Sequence, residues 1–120
     1  REGGANIHYE RFIKEVLPFV RSGEEFSYRR YDCKEMAFNS LACVENAQLL
    51  IVEGAYSCHP IFTRYYDIAV FSDVEKNEQM RRIIERNGEK SAQMFLNRWI
   101  PLEEEYFKAY DIEKCADIKI

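Results

Sequence analysis

The 120-residue chain is 47% hydrophobic and 14% aromatic, enough apolar material for one ordinary core, so residues 1–120 are read as a single domain. Its 17 basic and 21 acidic residues give a formal charge of -4, and with no basic run to track a phosphate backbone no nucleic-acid partner is expected. No apolar run approaches the roughly 20 residues of a membrane span and no signal-peptide pattern opens the chain, so no membrane partner and a cytoplasmic location are expected.

In chain order, NIHYERFIKEVLPFVRSG sets Ile7, Phe12, Val16 and Phe19 or Val20 near helical spacing, with Gly23 as the stop and Pro18 bending or shortening the last turn. FSYRRYDCKEMAF lacks that period and carries three aromatics around two arginines, which suits an extended loop or a hairpin. The four apolar residues Leu49 to Val52 predict a central strand covered on both faces, as in a parallel sheet. His59-Pro60 opens a short helix through Tyr65, and Ile68 to Phe71 predict a second strand. Asp73 is placed to cap the helix VEKNEQMRRIIERNG. Met94, Phe95, Trp99, Leu102, Tyr106 and Phe107 then repeat at three- and four-residue steps, predicting a long helix that Pro101 must kink or split. CADIKI predicts a third strand. Strands alternating with helices make the fold class α/β on a parallel sheet.

Cys33, Cys43, Cys58 and Cys115 show no CxxC spacing, so they are read as buried free thiols rather than metal ligands or a redox pair. Nothing in the spacing of His8 and His59 suggests a metal site. The residue that most invites a function is Glu53. In open parallel sheets ligands gather at the carboxyl ends of strands, and Glu53-Gly54 closes the LLIV run at such an end. A carboxylate there can orient a metal-bound water, a catalytic lysine or a phosphate-binding loop, with Gly54 letting the chain turn closely behind it. It can equally cap the following turn or pair with an arginine, and spacing alone leaves these alternatives open.

The segments IVEGAYSCHP, YYDIAVFSDVEKNEQMRRIIERN and RWIPLEEEYFKAYDIEKCADIKI, with GGANIHYERF and FSYRRYDC ahead of them, cover nearly the whole chain. In this order they resemble the later half of bacterial uridine kinase-like proteins of the P-loop kinase superfamily. The resemblance implies a partial three-layer parallel sheet of the P-loop nucleoside kinase type, in its acceptor-binding and lid half. Glu53 would face nucleotide phosphates and magnesium as a catalytic residue, and Tyr31 and Asp32 would lie at the nucleoside pocket. Arg82 would reach the phosphates from the lid helix, where a guanidinium neutralises charge developing on a transferred phosphoryl group. Arg86 on the same helix and Arg98 in NRWIP would stand near the substrate, although a solvated basic face with pairs such as Glu78 to Arg82 explains the helix arginines equally well. His8 departs from the family, whose aligned aspartate holds the sugar hydroxyls, and so puts nucleoside specificity in doubt. His59 is read as a helix-start residue.

A kinase of this class needs GxxxxGK[ST], whose amides cradle phosphates. The five glycines, at 3, 4, 23, 54 and 88, include no Gly-Lys pair. The chain therefore reads as a fragment missing the P-loop strand, the catalytic acidic residues that the resembled family places upstream of GGANIHYERF, and the adenine-enclosing residues after CADIKI. ATP and magnesium are expected to serve the intact protein and not to bind this chain tightly, and no ATP-dependent activity is expected from the chain alone. The missing strand would lie between the LLIV and IAVF strands, so exposed sheet edges are expected to rearrange or to join a second chain. The acceptor is expected to be a nucleoside, with pantothenate or a sugar phosphate as the alternative. A non-catalytic binding or oligomerisation module, with Trp99, Tyr106 and Phe107 as a partner surface, is the reading from a different class.

Overall fold

His8 opens the first described helix by accepting the Arg11 N–H on Nδ1 at 3.3 Å, which satisfies one of the orphan donors of a helix start. The structure, a computed structural model, describes residues 7–120. Helix α1 spans Tyr9–Glu15 and a single further turn, α2, spans Leu17–Val20 with Pro18 in its opening positions. Pro18 thus divides the expected helix at Val16, and Gly23, at φ 66°, ends the segment in a conformation that costs glycine least.

FSYRRYDCKEMAF is a hairpin. Strand β1 (Phe26–Asp32) pairs antiparallel with β2 (Ala37–Val44), from Phe26 opposite Val44 to Asp32 opposite Ala37, with a register shift between Arg30 and Tyr31. The LLIV stretch that follows corrects the expectation of a central strand. Leu49 and Ile51 are each 75% exposed and the segment joins no ladder among the described residues. A strand is buried only by neighbours on its edges and faces, and no described segment supplies them.

Helix α3 (Pro60–Thr63) is capped by His59, whose Nδ1 accepts the Ile61 N–H at 3.1 Å. Strand β3 (Val70–Phe71) leads to α4 (Lys76–Asn87), which is capped by Glu75 rather than Asp73. Glu75 accepts from the amides of Asn77 and Glu78, while Asp73 reaches only Val74. The helix starts too late for Asp73 to reach its open N–H groups. Gly88, at φ 82°, separates α4 from α5 (Glu89–Met94). A π-helical turn over Phe95–Trp99 joins α5 to α6 (Ile100–Ala109). The disturbance expected from Pro101 takes this form: the ring supplies no N–H, and one turn widens so that the Ile100 N–H bonds Phe95 O. After α7 (Ile112–Cys115), strand β4 (Ile118–Lys119) pairs parallel with β3. The fold is mixed α/β, and both sheets among the described residues are two-stranded, one antiparallel and one parallel. The three-layer parallel sheet is not formed by these residues.

The core is aromatic. Tyr56, Tyr106 and Ile112 form its centre, with Ile7, Cys58, Phe71 and Phe107 packed around them. The Tyr106 hydroxyl donates to the Tyr56 carbonyl at 3.4 Å. Buried His59 joins this centre to Phe62, which packs in turn on Tyr9 and Phe12. Tyr106 is 2% exposed, so it and Phe107 belong to the core rather than to a partner surface; the α6 stripe turns inward, as apolar stripes at helical spacing do. The cysteines correct their own expectation. All four are free, but Cys33, Cys43 and Cys115 are exposed and only Cys58 packs on the core. Cys43 follows buried Ala42 on β2 and Cys115 ends the short helix that buries Ile112, so each lies on the outward side of an element whose other side is buried.

Candidate functional site

The described surface holds two clefts that share Glu53. The first, about 490 Å³, lies between α1, the base of the hairpin and the extended segment 50–53. Its apolar lining includes Phe12, Phe26, Leu50 and Val52, and its polar lining is His8, Arg11, Glu15, Arg29 and Glu53, with Tyr28 alongside. An apolar floor with a few converging polar groups is the usual make-up of a small-molecule site. The second, about 810 Å³, lies between the end of β3 and helices α6 and α7. Its charges are of both signs and two pairs of them bridge, Lys119 to Glu113 at 3.1 Å and Lys76 to Glu104 at 3.7 Å. Burial raises the pKa of Glu103 on its α6 wall.

Glu53 is exposed and, among the described residues, makes no hydrogen bond or ion pair. Both bland roles open to it are therefore unfilled: the turn after it is closed by the amide and hydroxyl of Ser57 on the Gly54 carbonyl, and no arginine pairs with it. Gly54 stands at φ 153° with open space where a Cβ would be, so its backbone angle rather than a close neighbour favours glycine there. His8 lines the same cleft. Its Nδ1 is committed to the helix cap, which leaves Nε2 as its free hydrogen-bonding atom.

The remaining residues singled out in the sequence stand outside both clefts. Tyr31 sits near the hairpin turn, its ring edge-on to Phe38 at 5.2 Å and its hydroxyl 3.7 Å from the Met36 sulfur. Asp32 builds that turn. Its Oδ1 accepts the amides of Lys34 and Glu35 and its Oδ2 accepts from Asn39. The Glu35 amide, then that of Lys34, holds its carboxyl below the ordinary range. On α4, Arg82 donates to Glu78 at 2.7 Å, Arg81 bridges Glu78 and Glu85, and Arg86 donates to the side chain of Asn87. Arg81 first and Arg82 second lower Glu78 to about 2. These are the solvated i to i+4 pairs of an exposed helix face. Arg98 lies over the ring of its neighbour Trp99 at 5.1 Å. His59 is held neutral by burial among rings.

Sequence reasoning missed the charged cluster on the cleft wall. Glu15 accepts from Arg11 Nε and Nη2 at 3.1 and 3.0 Å, and from Arg29 Nε and Nη2 at 3.1 and 2.5 Å. Helix α1 also takes both backbone polar groups of Arg29: Glu15 accepts its N–H at 3.2 Å and Arg11 donates to its carbonyl at 2.8 Å. Both guanidiniums lie over the Phe38 ring, at 4.1 and 4.8 Å from its centroid. Arg11 and Arg29 together hold Glu15 down to about 2. The i to i+4 spacing of Arg11 and Glu15 was a legible signal. Nothing local pointed to Arg29. No family model matches the chain, and no curated protein matches its sequence.

Proposed function

We propose that this chain forms the acceptor-binding and lid half of an ATP-dependent phosphotransferase of the uridine kinase-like type, with the cleft between α1, the hairpin and Glu53 as the acceptor site. The observation that carries the reading is the meeting of His8 and Glu53, far apart in sequence, in one cleft with an apolar floor. His8 Nε2 offers a hydrogen bond to an acceptor hydroxyl, and the apolar floor takes the rest of the ligand. Glu53 is a carboxylate with no other task. It fits the part of a single protein ligand or water-orienting group beside a nucleotide-bound magnesium, because that ion takes most of its ligands from phosphates and water. No described residue supplies a glycine-rich phosphate cradle, so the donor half of the reaction lies beyond what these residues can do.

The reading also carries a three-layer parallel sheet with a further strand beside the exposed LLIV segment, whose apolar residues and unused backbone groups suit that role. It gives Tyr31 and Asp32 the forming of the hairpin turn, and Arg82 and Arg86 the charge of a lid helix, which lies with Arg98 away from the cleft. The test is titration of the chain with uridine, cytidine and pantothenate by NMR. Binding of at least one, weakened by His8→Ala and sensed by residues beside Glu53, is expected; binding of none would remove the acceptor site. Glu53→Gln should leave the melting temperature unchanged, since Glu53 makes no hydrogen bond or ion pair among the described residues, and should abolish phosphate transfer in a form of the protein that carries a phosphate-binding loop.

A further inference from the structure

The Glu15 cluster puts a positive charge on one wall of the cleft that the fold alone does not explain. Two guanidiniums share one carboxylate, so the wall formed by Arg11, Glu15 and Arg29 keeps one uncompensated positive charge. Glu53, the other carboxylate lining the cleft, offsets that charge in the total but pairs with neither arginine, and the Nδ1 of His8 is taken by the helix cap. The hydrogen bonds leave Nη1 of each arginine unused among the described residues. Both groups are also fixed in place. The fork of each is closed on Glu15 and its plane rests on Phe38, so little side-chain freedom remains to be lost when a ligand arrives.

From this geometry we infer that the acceptor taken by the cleft is a hydroxyl-bearing small molecule that carries its own anionic group, a carboxylate or a phosphomonoester, in preference to a neutral nucleoside. The inference rests on the reading of this cleft as the acceptor site. The anion meets the free Nη1 donors of Arg11 and Arg29, where a charge-assisted bond is stronger than a neutral one. The body of the molecule lies on Phe12, Leu50 and Val52, and its hydroxyl is left to the His8 and Glu53 end. Tyr31 does not oppose this assignment, because its ring is spent on Phe38 and it offers no base-stacking platform inside the cleft.

Calorimetric titration of the unmodified chain with uridine, uridine 5′-monophosphate, pantothenate and inorganic phosphate tests the inference. At least one organic anion should bind about tenfold or more tightly than uridine, the gain of one charge-assisted contact. Added salt should shrink that preference while leaving uridine binding nearly unchanged. A gain for the monophosphate alone names a phosphomonoester, and a gain for pantothenate alone names a carboxylate; either supports the inference. Arg29→Gln should erase the preference and Arg29→Lys should keep part of it, while the salt series gives the same answer without altering the hairpin. Equal binding of uridine and the anions overturns the inference and leaves the acceptor site standing. Inorganic phosphate binding as tightly as the organic anions overturns it too, since the apolar floor then contributes nothing, and binding of no compound removes both.

Discussion

Around Tyr106 the chain is held by rings packed out of water, whereas the β1–β2 hairpin is held to α1 by a carboxylate and two guanidiniums that remain near the surface. Burial of aromatic area is large, undirected and not subject to the screening that weakens ion pairs. A charge cluster at the surface adds little to global stability, but it is directional and fixes one strand in one place. The first region therefore decides whether the chain folds, and the second decides the shape of the cleft wall.

The largest effect should come from the core. Tyr106→Ala removes a ring that is 2% exposed and should cost about 3–5 kcal/mol, lowering the denaturant midpoint, in line with other large aromatic truncations. A variant that melts like the parent would show that the rings around Tyr106 do not carry the fold. Next comes His59→Ala, which loses the α3 cap at a cost of about 1 kcal/mol together with ring contacts to Tyr9 and Tyr110. His59→Asn keeps a capping oxygen and should recover the part due to the cap, as read by thermal melts of the two variants. Burial lowers the His59 pKa below the ordinary 6.5 of an imidazole, so its contribution is full above that pH and is lost as pH falls through the lower folded value. Melting temperature against pH should drop there in the parent and not in His59→Asn.

The charge cluster should respond locally. Glu15→Gln leaves the core intact, so melting should change little, while the Arg29 amide, which donates to Glu15, should exchange with deuterium severalfold faster. Unchanged exchange would mean that the hairpin is held by something other than this cluster. The smallest effect is the acid limb of the same clasp. Glu15 is depressed from 4.5 to about 2, so the attachment is complete above about 4.5 and fades as pH falls towards about 2. Protection of the Arg29 amide, taken relative to its intrinsic exchange rate at each pH, should fall over that window in the parent and stay flat in Glu15→Gln.

Most of the local structure was legible because its causes lie within a few residues. His59-Pro60 is a cap followed by a residue preset for a helix, Gly23 and Gly88 end helices at positive φ, and Pro101 has no N–H to give. Glu75 displaced Asp73 as a cap because a shift of two residues at a helix end is invisible to periodicity. Of the candidate site, the sequence pointed to His8 and Glu53. It could not tell that Asp32 is consumed by its own turn while Glu53 is free, since both read as a carboxylate at the end of an apolar or aromatic run.

Sequence by itself determined most of the helices and the His59 cap, and narrowed FSYRRYDCKEMAF to an extended loop or a hairpin, because each depends on hydrogen bonds and side-chain spacing over one or two turns. Only the tertiary structure decided that LLIV lies uncovered, that three cysteines face outward and that Arg29 reaches Glu15. Those outcomes depend on which distant segments come into contact. A strand, a thiol or a charge has no fixed environment until its neighbours arrive.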